Sequence, residues 1–243
     1  MNCVSCGLFS PLAGPEFADY EKTARDFARL SALSHGQAKD IYLAGGEPLL
    51  HPDLLKILKM ARENFPDAVI SIVTNGLLLL NQPEEFWTVC KENNIWIEQT
   101  KYPIALNFEE IEKCAADHGV KHQYYNGAKV VKAMNSYKLD VEGRQDCQKS
   151  FLLCYQANSC VTLQNGRLYT CATVGAIRHF NKYFGENLQE HPGDSIDIYQ
   201  ANSMREIMDF LARPIPFCRY CMPDKTVYDQ PWRKSERAIE GWT

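Results

Sequence analysis

Residues 40–48 read DIYLAGGEP, a short apolar run that is followed at once by two glycines, a glutamate and a proline. The run Asp40–Ala44 predicts a short β-strand. A helix is predicted to begin just downstream at His51-Pro52, because proline is favoured in the first turn of a helix. A strand, a glycine loop and a helix in this order are typical of an α/β unit, in which the loop after the strand carries the chemistry.

The segments around this unit repeat the same alternation. Helices are predicted from apolar residues at three- and four-residue spacing or from capping residues, and strands from β-branched runs. The predicted helices cover residues 16–33, 51–61, 83–91 and 107–119, and the predicted strands cover residues 40–44, 68–73, 95–98 and 120–124. This order predicts a parallel α/β sheet that right-handed crossovers curl toward a partial barrel. We assign residues 1–140 to this first domain.

Composition limits the classes of function. The chain has 243 residues, 45% hydrophobic content and a net charge of −4, which suits one large domain or two modest ones. No block of five like charges points to nucleic acid or to an anionic membrane. The chain has no run of 18 apolar residues, and its N-terminus lacks a basic segment followed by an apolar one. These features predict a cytoplasmic protein that binds neither nucleic acid nor membrane.

Cysteine usage points to a metal or a cluster. The chain has ten cysteines, and in the cytosol clustered thiols are more often ligands of soft metals than disulfides. Cys3 and Cys6 are separated by two residues. This spacing occurs in zinc ribbons, in thioredoxin-like redox sites and in iron-sulfur sites, so the pair alone leaves all three open. Cys90 and Cys114 fall in predicted helices and are interpreted as ordinary buried residues.

The second half of the chain follows a different pattern, and we assign residues 141–243 to a second domain. A polar connection over 141–146 leads to two short strands joined by Asn165-Gly166, which predicts a β-hairpin with a thiol at each end, Cys160 and Cys171. Ser203 and Glu206 predict a capping box for a helix that ends before Pro214. A CxxC pair, Cys218 and Cys221, follows, and residues 231–242 are predicted to form a final surface helix.

Cys3-x-x-Cys6 and the Gly45-Gly46-Glu47-Pro48 stretch resemble the radical S-adenosylmethionine (radical SAM) enzymes, whose signature is CxxxCxxC after the first strand and GGEP after the second. Cys3 and Cys6 fit the second and third cysteines of that signature. The first would lie two residues before Met1, so we expect an upstream extension that supplies it together with the first strand. The resemblance implies a partial (β/α)6-type radical SAM barrel, here lacking its first strand, and a chain that is inactive as written because two thiolates hold a cluster weakly.

The resemblance also implies cofactors and contacts. A 4Fe-4S cluster held by three thiolates leaves one iron open, and in this family that iron chelates S-adenosylmethionine. The GGEP loop of the family meets the methionine amino group, which carries over to Gly45, Gly46, Glu47 and Pro48. Asn75 follows the predicted strand at residues 68–73, which is the third strand if the missing first one is counted. It either faces the same cavity or belongs to a plain turn. One electron then cleaves the cosubstrate, and the resulting 5'-deoxyadenosyl radical removes hydrogen from a substrate. The family usually has an aromatic residue where this chain has Ser5.

The C-terminal cysteines resemble the SPASM and twitch extensions of radical SAM enzymes. The matching residues are Cys154, Gly166, Cys171, Cys218 and Cys221, and the resemblance implies a small Cys-rich module with a β-hairpin and an auxiliary 4Fe-4S cluster. Cys160 is an alternative to Cys154, and Cys147 is a spare thiol. A structural zinc site remains open, because four cysteines that include a CxxC pair also make a zinc ribbon pattern.

The resemblance implies an oxidoreductase that uses S-adenosylmethionine, a peptide or carbohydrate-type substrate, and an electron donor such as flavodoxin or ferredoxin. Two other classes stay open. One is a non-catalytic zinc-binding or interaction module derived from a radical SAM protein, and the other is a disulfide oxidoreductase that uses the N-terminal thiol pair. A substrate pocket has four candidate lining residues, which are Arg178, His179, Tyr183 and Trp232.

Overall fold

The computed structural model of the chain describes residues 1–125, 127, 129–130, 133–157 and 159–243. The chain divides into two compact units. The sheet unit comprises residues 17–132, and the thiol unit comprises residues 1–16 and 133–243. Eight of the ten cysteines belong to the thiol unit. The first sixteen residues were predicted to belong to the first domain, but they pack with the C-terminal part of the chain.

The sheet unit alternates helices and strands. Its elements are α1 (Tyr20–Ser34), β1 (Asp40–Leu43), α2 (Leu54–Asn64), β2 (Val69–Thr74), α3 (Glu84–Glu92), β3 (Ile95–Gln99), α4 (Phe108–Asp117) and β4 (His122–Tyr124). The strands form one parallel sheet in the order β1-β2-β3-β4. The predicted α/β class is confirmed at this level, and the parallel sheet is consistent with a partial α/β barrel.

Burial explains why β2 lies inside the sheet. Ile70 pairs with Ile41 of β1 on one side and with Ile95 of β3 on the other. Both Ile70 and Ile72 are fully buried. β-branched side chains suit this doubly covered position, because they pack well on a pleated surface. The carboxyl ends of β1, β2 and β3 therefore form one rigid edge.

Two of the predicted helix starts can be checked at their caps. Asn107 caps α4 as predicted, since its side chain accepts a hydrogen bond from the backbone N–H of Glu110 at 3.2 Å. The capping box at Ser203 is only half formed. Its hydroxyl accepts from the Glu206 N–H, but the Glu206 carboxylate accepts from the backbone of Asn202 instead of Ser203.

The thiol unit is built from short strands and helices. Its elements are β5 (Ala133–Leu139), α5 (Cys147–Leu153), β6 (Thr162–Gln164), β7 (Arg167–Tyr169), α6 (Ala172–Phe184), β8 (Ser195–Asp197), α7 (Met204–Leu211) and β9 (Cys221–Pro231). β5 pairs with β9, and β6, β7 and β8 form an antiparallel sheet. The predicted hairpin is confirmed, because Asn165 and Gly166 both have the positive φ angles that a tight turn requires.

The prediction of a surface helix over residues 231–242 is wrong. Apart from a short 3₁₀ turn at Ile239–Gly241, this segment is not helical. The reason is Trp242, which is only 2% exposed and packs against Phe9 and Phe184 with ring centroids 6.1 and 6.0 Å apart. Its carbonyl also accepts from the Leu139 N–H at 2.7 Å. Burial of this ring fixes the end of the chain in the core of the thiol unit.

Across the ranges that the structure describes, no helix combines the length and the apolar character needed to cross a membrane.

Candidate functional site

The glycine loop lies at the carboxyl end of β1, and Glu47 ties it to the end of β2. Glu47 Oε1 accepts hydrogen bonds from Thr74 Oγ1 at 2.7 Å and from the Leu49 N–H at 3.3 Å. Glu47 Oε2 accepts from the Asn75 backbone N–H at 3.2 Å and also from Asn75 Nδ2. The carboxylate thus holds the loops after two neighbouring strands in one arrangement.

Asn75 serves both the turn and the glycine loop. Its side chain is 8% exposed, and while Nδ2 donates to Glu47, Oδ1 accepts from the Leu77 N–H at 2.9 Å. The next residue, Gly76, has φ +82, and a Cβ there would come within 1.9 Å of Gln99 Nε2. The turn therefore requires glycine. Asn75 thus shapes the turn and also bonds Glu47.

Gly45 and Gly46 leave the backbone of the loop open. Both are exposed, and a Cβ at either position would have no described atom within 4 Å. Glycine in such a place lets a ligand approach the main chain closely. Pro48 follows at the start of a 3₁₀ turn over Pro48–Leu50, which Glu47 caps. The loop therefore presents an exposed backbone next to a carboxylate that is fixed by four hydrogen bonds.

The N-terminal thiols lie in the thiol unit. Cys3 is buried, and its sulfur accepts a hydrogen bond from Trp232 Nε1 at 3.3 Å. Cys6 is half-buried, and its thiol donates to Ser10 Oγ at 3.6 Å. Both sulfurs therefore have polar partners within the thiol unit.

Ser5, where the radical SAM family usually has an aromatic residue, is constrained by its surroundings. It is 4% exposed and has φ +53, a conformation that bulky residues rarely adopt. Its hydroxyl donates to the Gly241 carbonyl at 2.8 Å, and Gln230 Oε1 lies 3.1 Å away. Ser5 is therefore buried against the end of the chain, which its hydroxyl contacts.

Cysteines of the C-terminal segment border one cavity of about 40 Å³ in the thiol unit. Three of them, Cys154, Cys171 and Cys221, line it. Burial is the main cause that raises the pKa of the Cys171 thiol to about 12, and the neighbouring Cys154 and Cys218 contribute to that rise. Burial likewise raises the pKa of Cys218 to about 11 and raises that of Cys221. Such thiols stay protonated unless a metal displaces the proton.

The turn that carries Cys218 and Cys221 is fixed from three sides. Ser150 of α5 donates to the Cys221 carbonyl at 2.8 Å, and the Phe217 N–H donates to Asp194 Oδ1 at 2.7 Å. The Cys147 thiol donates to the Pro216 carbonyl at 3.7 Å. These contacts hold the pair in place without using either of its sulfurs.

The remaining cysteines do not line this cavity. Cys160 is exposed and does not line the cavity, whereas Cys154 does. Cys90 in the sheet unit is fully buried, and burial raises its pKa to about 12. Within the described part of the chain, no three Cys, His, Asp or Glu side chains are grouped closely enough to hold one metal ion.

The four candidate pocket residues do not form one site. Arg178 lines a separate polar cavity and bonds Glu16 at 2.6 Å, which lowers the pKa of that carboxyl. His179 lies 3.8 Å from Glu16, and burial lowers its pKa. Tyr183 is exposed, while Trp232 contacts Cys3. Neither Glu16 nor Thr74 was among the predicted site residues.

These observations define a mixed α/β protein in which a glycine loop follows a parallel strand and a second unit gathers most of the cysteines. Neither a protein-family model nor a curated protein matches the chain. Among solved structures, the chain is similar to BtrN in complex with AdoMet and 2-DOIA. That match has a TM-score of 0.49 and 19% sequence identity, and it covers 86% of this chain and 81% of BtrN.

Proposed function

We propose that the protein is a radical SAM iron-sulfur enzyme whose thiol unit holds an auxiliary 4Fe-4S cluster. The observation that carries the proposal is the shared cavity of Cys154, Cys171 and Cys221. Cys218 lies three residues before Cys221 and would complete a set of four thiols. Thiolates are the ligands that iron-sulfur clusters use, and four of them suit one cluster.

The cavity favours Cys154 over Cys160 as the fourth ligand. Cys154 lines the cavity with Cys171 and Cys221, whereas Cys160 is exposed and outside it. Cys171 precedes the first residue of α6. Burial raises the pKa of Cys171, and the backbone N–H groups of Val174 and Thr173 at this helix start offset only part of that rise, so a bound metal would have to displace the proton. Ser150 and Asp194 would keep the ligand turn fixed while the cluster is bound.

Cys3 and Cys6 would supply two thiolates of the first cluster, for which the resemblance requires a third. When bound, that cluster supplies the electron for reductive cleavage of S-adenosylmethionine. Burial of Cys3 keeps water from its sulfur. The hydrogen-bond partners of the two sulfurs, Trp232 and Ser10, would orient them.

The glycine loop would bind the cosubstrate. The open backbone at Gly45 and Gly46 is suited to meet its methionine part, as in the GGEP loop of the family that the chain resembles. Glu47 accepts four hydrogen bonds from the protein and would act by keeping the loop in place. Asn75 would support Glu47 from the neighbouring strand. The substrate in this proposal is a peptide or a carbohydrate, and flavodoxin or ferredoxin is the donor class.

Metal analysis of protein purified without oxygen tests the proposal. We expect about four irons and four sulfides at the C-terminal cysteines, as one 4Fe-4S cluster implies. Changing Cys218 and Cys221 together to alanine should remove them. Cys154→Ala should lower the iron content strongly, and the matched control Cys160→Ala should leave it unchanged. Stoichiometric zinc without sulfide would contradict the proposal and favour a zinc-binding module.

A further inference from the structure

The imidazole of His118 joins two helices of the sheet unit. His118 is the C-cap of α4, and its Nδ1 lies 2.7 Å from the Cys114 carbonyl of the same helix. Its Nε2 lies 3.0 Å from Oε2 of Glu84, the first residue of α3. A carbonyl and an ionised carboxylate only accept hydrogen bonds, so each ring nitrogen must carry a proton to bond its partner. Both bonds therefore exist together only in the imidazolium form.

The surroundings of the ring also suit a positive charge. The positive end of the α3 dipole lies at Glu84 and the negative end of the α4 dipole lies at His118, so an anion and a cation occupy the ends that favour them. The His118 ring stacks on the indole of Trp87, with centroids 4.9 Å apart and planes at 19°. An aromatic face attracts a cation at this distance. Trp87 is 2% exposed, so the stack rests on a buried residue.

Other titratable groups near His118 come from the same two helices. Asp117 and Glu84 attract the imidazolium charge, and the Cys114 sulfur lies 3.8 Å from Nδ1. A Cβ on the residue after His118 would lie 3.6 Å from Nζ of Lys91, in the last turn of α3. The hydrogen bonds to the Cys114 carbonyl and to Glu84 raise the pKa of His118, and burial offsets part of that rise.

We propose that His118 is a pH-dependent clasp, which holds the start of α3 against the end of α4 when its imidazole is protonated and releases it when the imidazole is neutral. A neutral ring has one lone pair facing an acceptor, so one of the two bonds is lost. The Cys114 carbonyl is part of a helix, whereas the Glu84 side chain is 79% exposed and can turn toward water. The bond between the helices is therefore the one that breaks.

The clasp stabilises the sheet unit on the acid side of its titration. A group whose pKa is raised in the folded protein contributes stability that is full below the pKa of an unfolded histidine, about 6.5. That stability is lost as the pH rises through the folded value, which lies above 6.5 for His118. The inference goes beyond the proposed function, because neither a cluster nor S-adenosylmethionine takes part.

NMR titration of the histidine ring protons tests the clasp in the full chain, prepared without iron. His118→Gln assigns the signal of His118. We expect its midpoint to lie above about 6.5 in the unchanged protein and to fall in Glu84→Gln. Glu85→Gln is the matched control, because that neighbouring carboxylate is also exposed but the ring bonds Glu84. This control should leave the midpoint where it is.

Trp87 gives a second measurement of the same event. Its indole ¹⁵N–H signal, assigned by Trp87→Phe, should shift with the midpoint of His118 and should lose that shift in His118→Gln. In urea unfolding, the unchanged protein should lose stability relative to Glu84→Gln between about pH 5.5 and about pH 8.5. The remaining indole signals show whether each variant is folded.

Three results would overturn the proposal. The first is a His118 midpoint at or below that of an ordinary histidine, and the second is a midpoint that Glu84→Gln does not move. The third is an unfolding transition whose pH dependence is the same with and without Glu84. None of these measurements depends on iron, so their failure is distinct from a failure of the proposed function.

Discussion

Replacing Glu47 by alanine removes the acceptor of four hydrogen bonds at the carboxyl edge of the parallel sheet. Hydrogen bonds to a charged group contribute about 1.5–3 kcal/mol each, but bonds to one carboxylate are not additive. Glu47 is half-buried, so water replaces part of what is lost. We expect Glu47→Ala to reduce the free energy of unfolding by about 2–3 kcal/mol.

The same change should abolish cosubstrate binding while the iron content stays normal, because the loop meets S-adenosylmethionine and not the metal. Affinity is measured by calorimetric titration, and we expect a loss of at least tenfold, equivalent to about 1.4 kcal/mol. Stability is measured by urea unfolding. Glu47→Gln should behave similarly, because in either amide orientation its nitrogen faces a backbone N–H donor, that of Leu49 or that of Asn75.

Glu63→Ala, an exposed change in α2, is the control and should alter stability by no more than about 0.5 kcal/mol. Two results would refute the reasoning. Unchanged stability in Glu47→Ala would mean that the four bonds do not hold the loop. Unchanged affinity for S-adenosylmethionine would mean that the glycine segment is only a turn in this protein.

Three further changes test other parts of the structure. Gly76→Ala should destabilise the sheet unit by more than about 1 kcal/mol, because a Cβ would strike Gln99 at a positive φ, while Gly14→Ala should be nearly neutral in thermal unfolding. Burial raises the pKa of Asp140, but hydrogen bonds from Gln145 and neighbouring groups outweigh it and lower that pKa to about 2. Since this value is below that of an unfolded Asp, about 3.9, the stabilisation is present above about pH 4 and is lost toward pH 2. Asp140→Asn should remove this pH dependence in acid unfolding. Trp242→Ala should cost about 3–5 kcal/mol by creating a cavity, and a smaller loss by denaturant titration would mean that its ring is not part of the core.

The spacing of apolar residues and the capping residues predicted the helices and strands that local interactions determine. The strands near residues 40, 70, 95 and 122 and the cap at Asn107 follow from spacing and capping chemistry, which act within a few residues. The Asn165-Gly166 hairpin is equally local, because the two residues themselves adopt the required φ angles. The α/β class could therefore be read from the order of these segments.

Tertiary structure decided the features whose partners are far apart in the chain. β5 was not predicted. It pairs with β9, some ninety residues later, and a pattern confined to neighbouring residues cannot predict such a pair. The segment over residues 231–242 was predicted as a helix, yet burial of Trp242 against Phe9 holds it in another conformation.

The candidate site likewise has features that the sequence shows and features that only the folded structure shows. Its residue types and spacings, such as Cys218-x-x-Cys221 and the glycine loop, are visible in the sequence. The choice between Cys154 and Cys160 depends on which thiol lines the cavity, and the partner of Cys3 is Trp232, more than two hundred residues away. Sequence alone determined which groups could bind a cluster, whereas long-range packing decided which of them are brought together, because side-chain proximity is set by the folded core and not by distance along the chain.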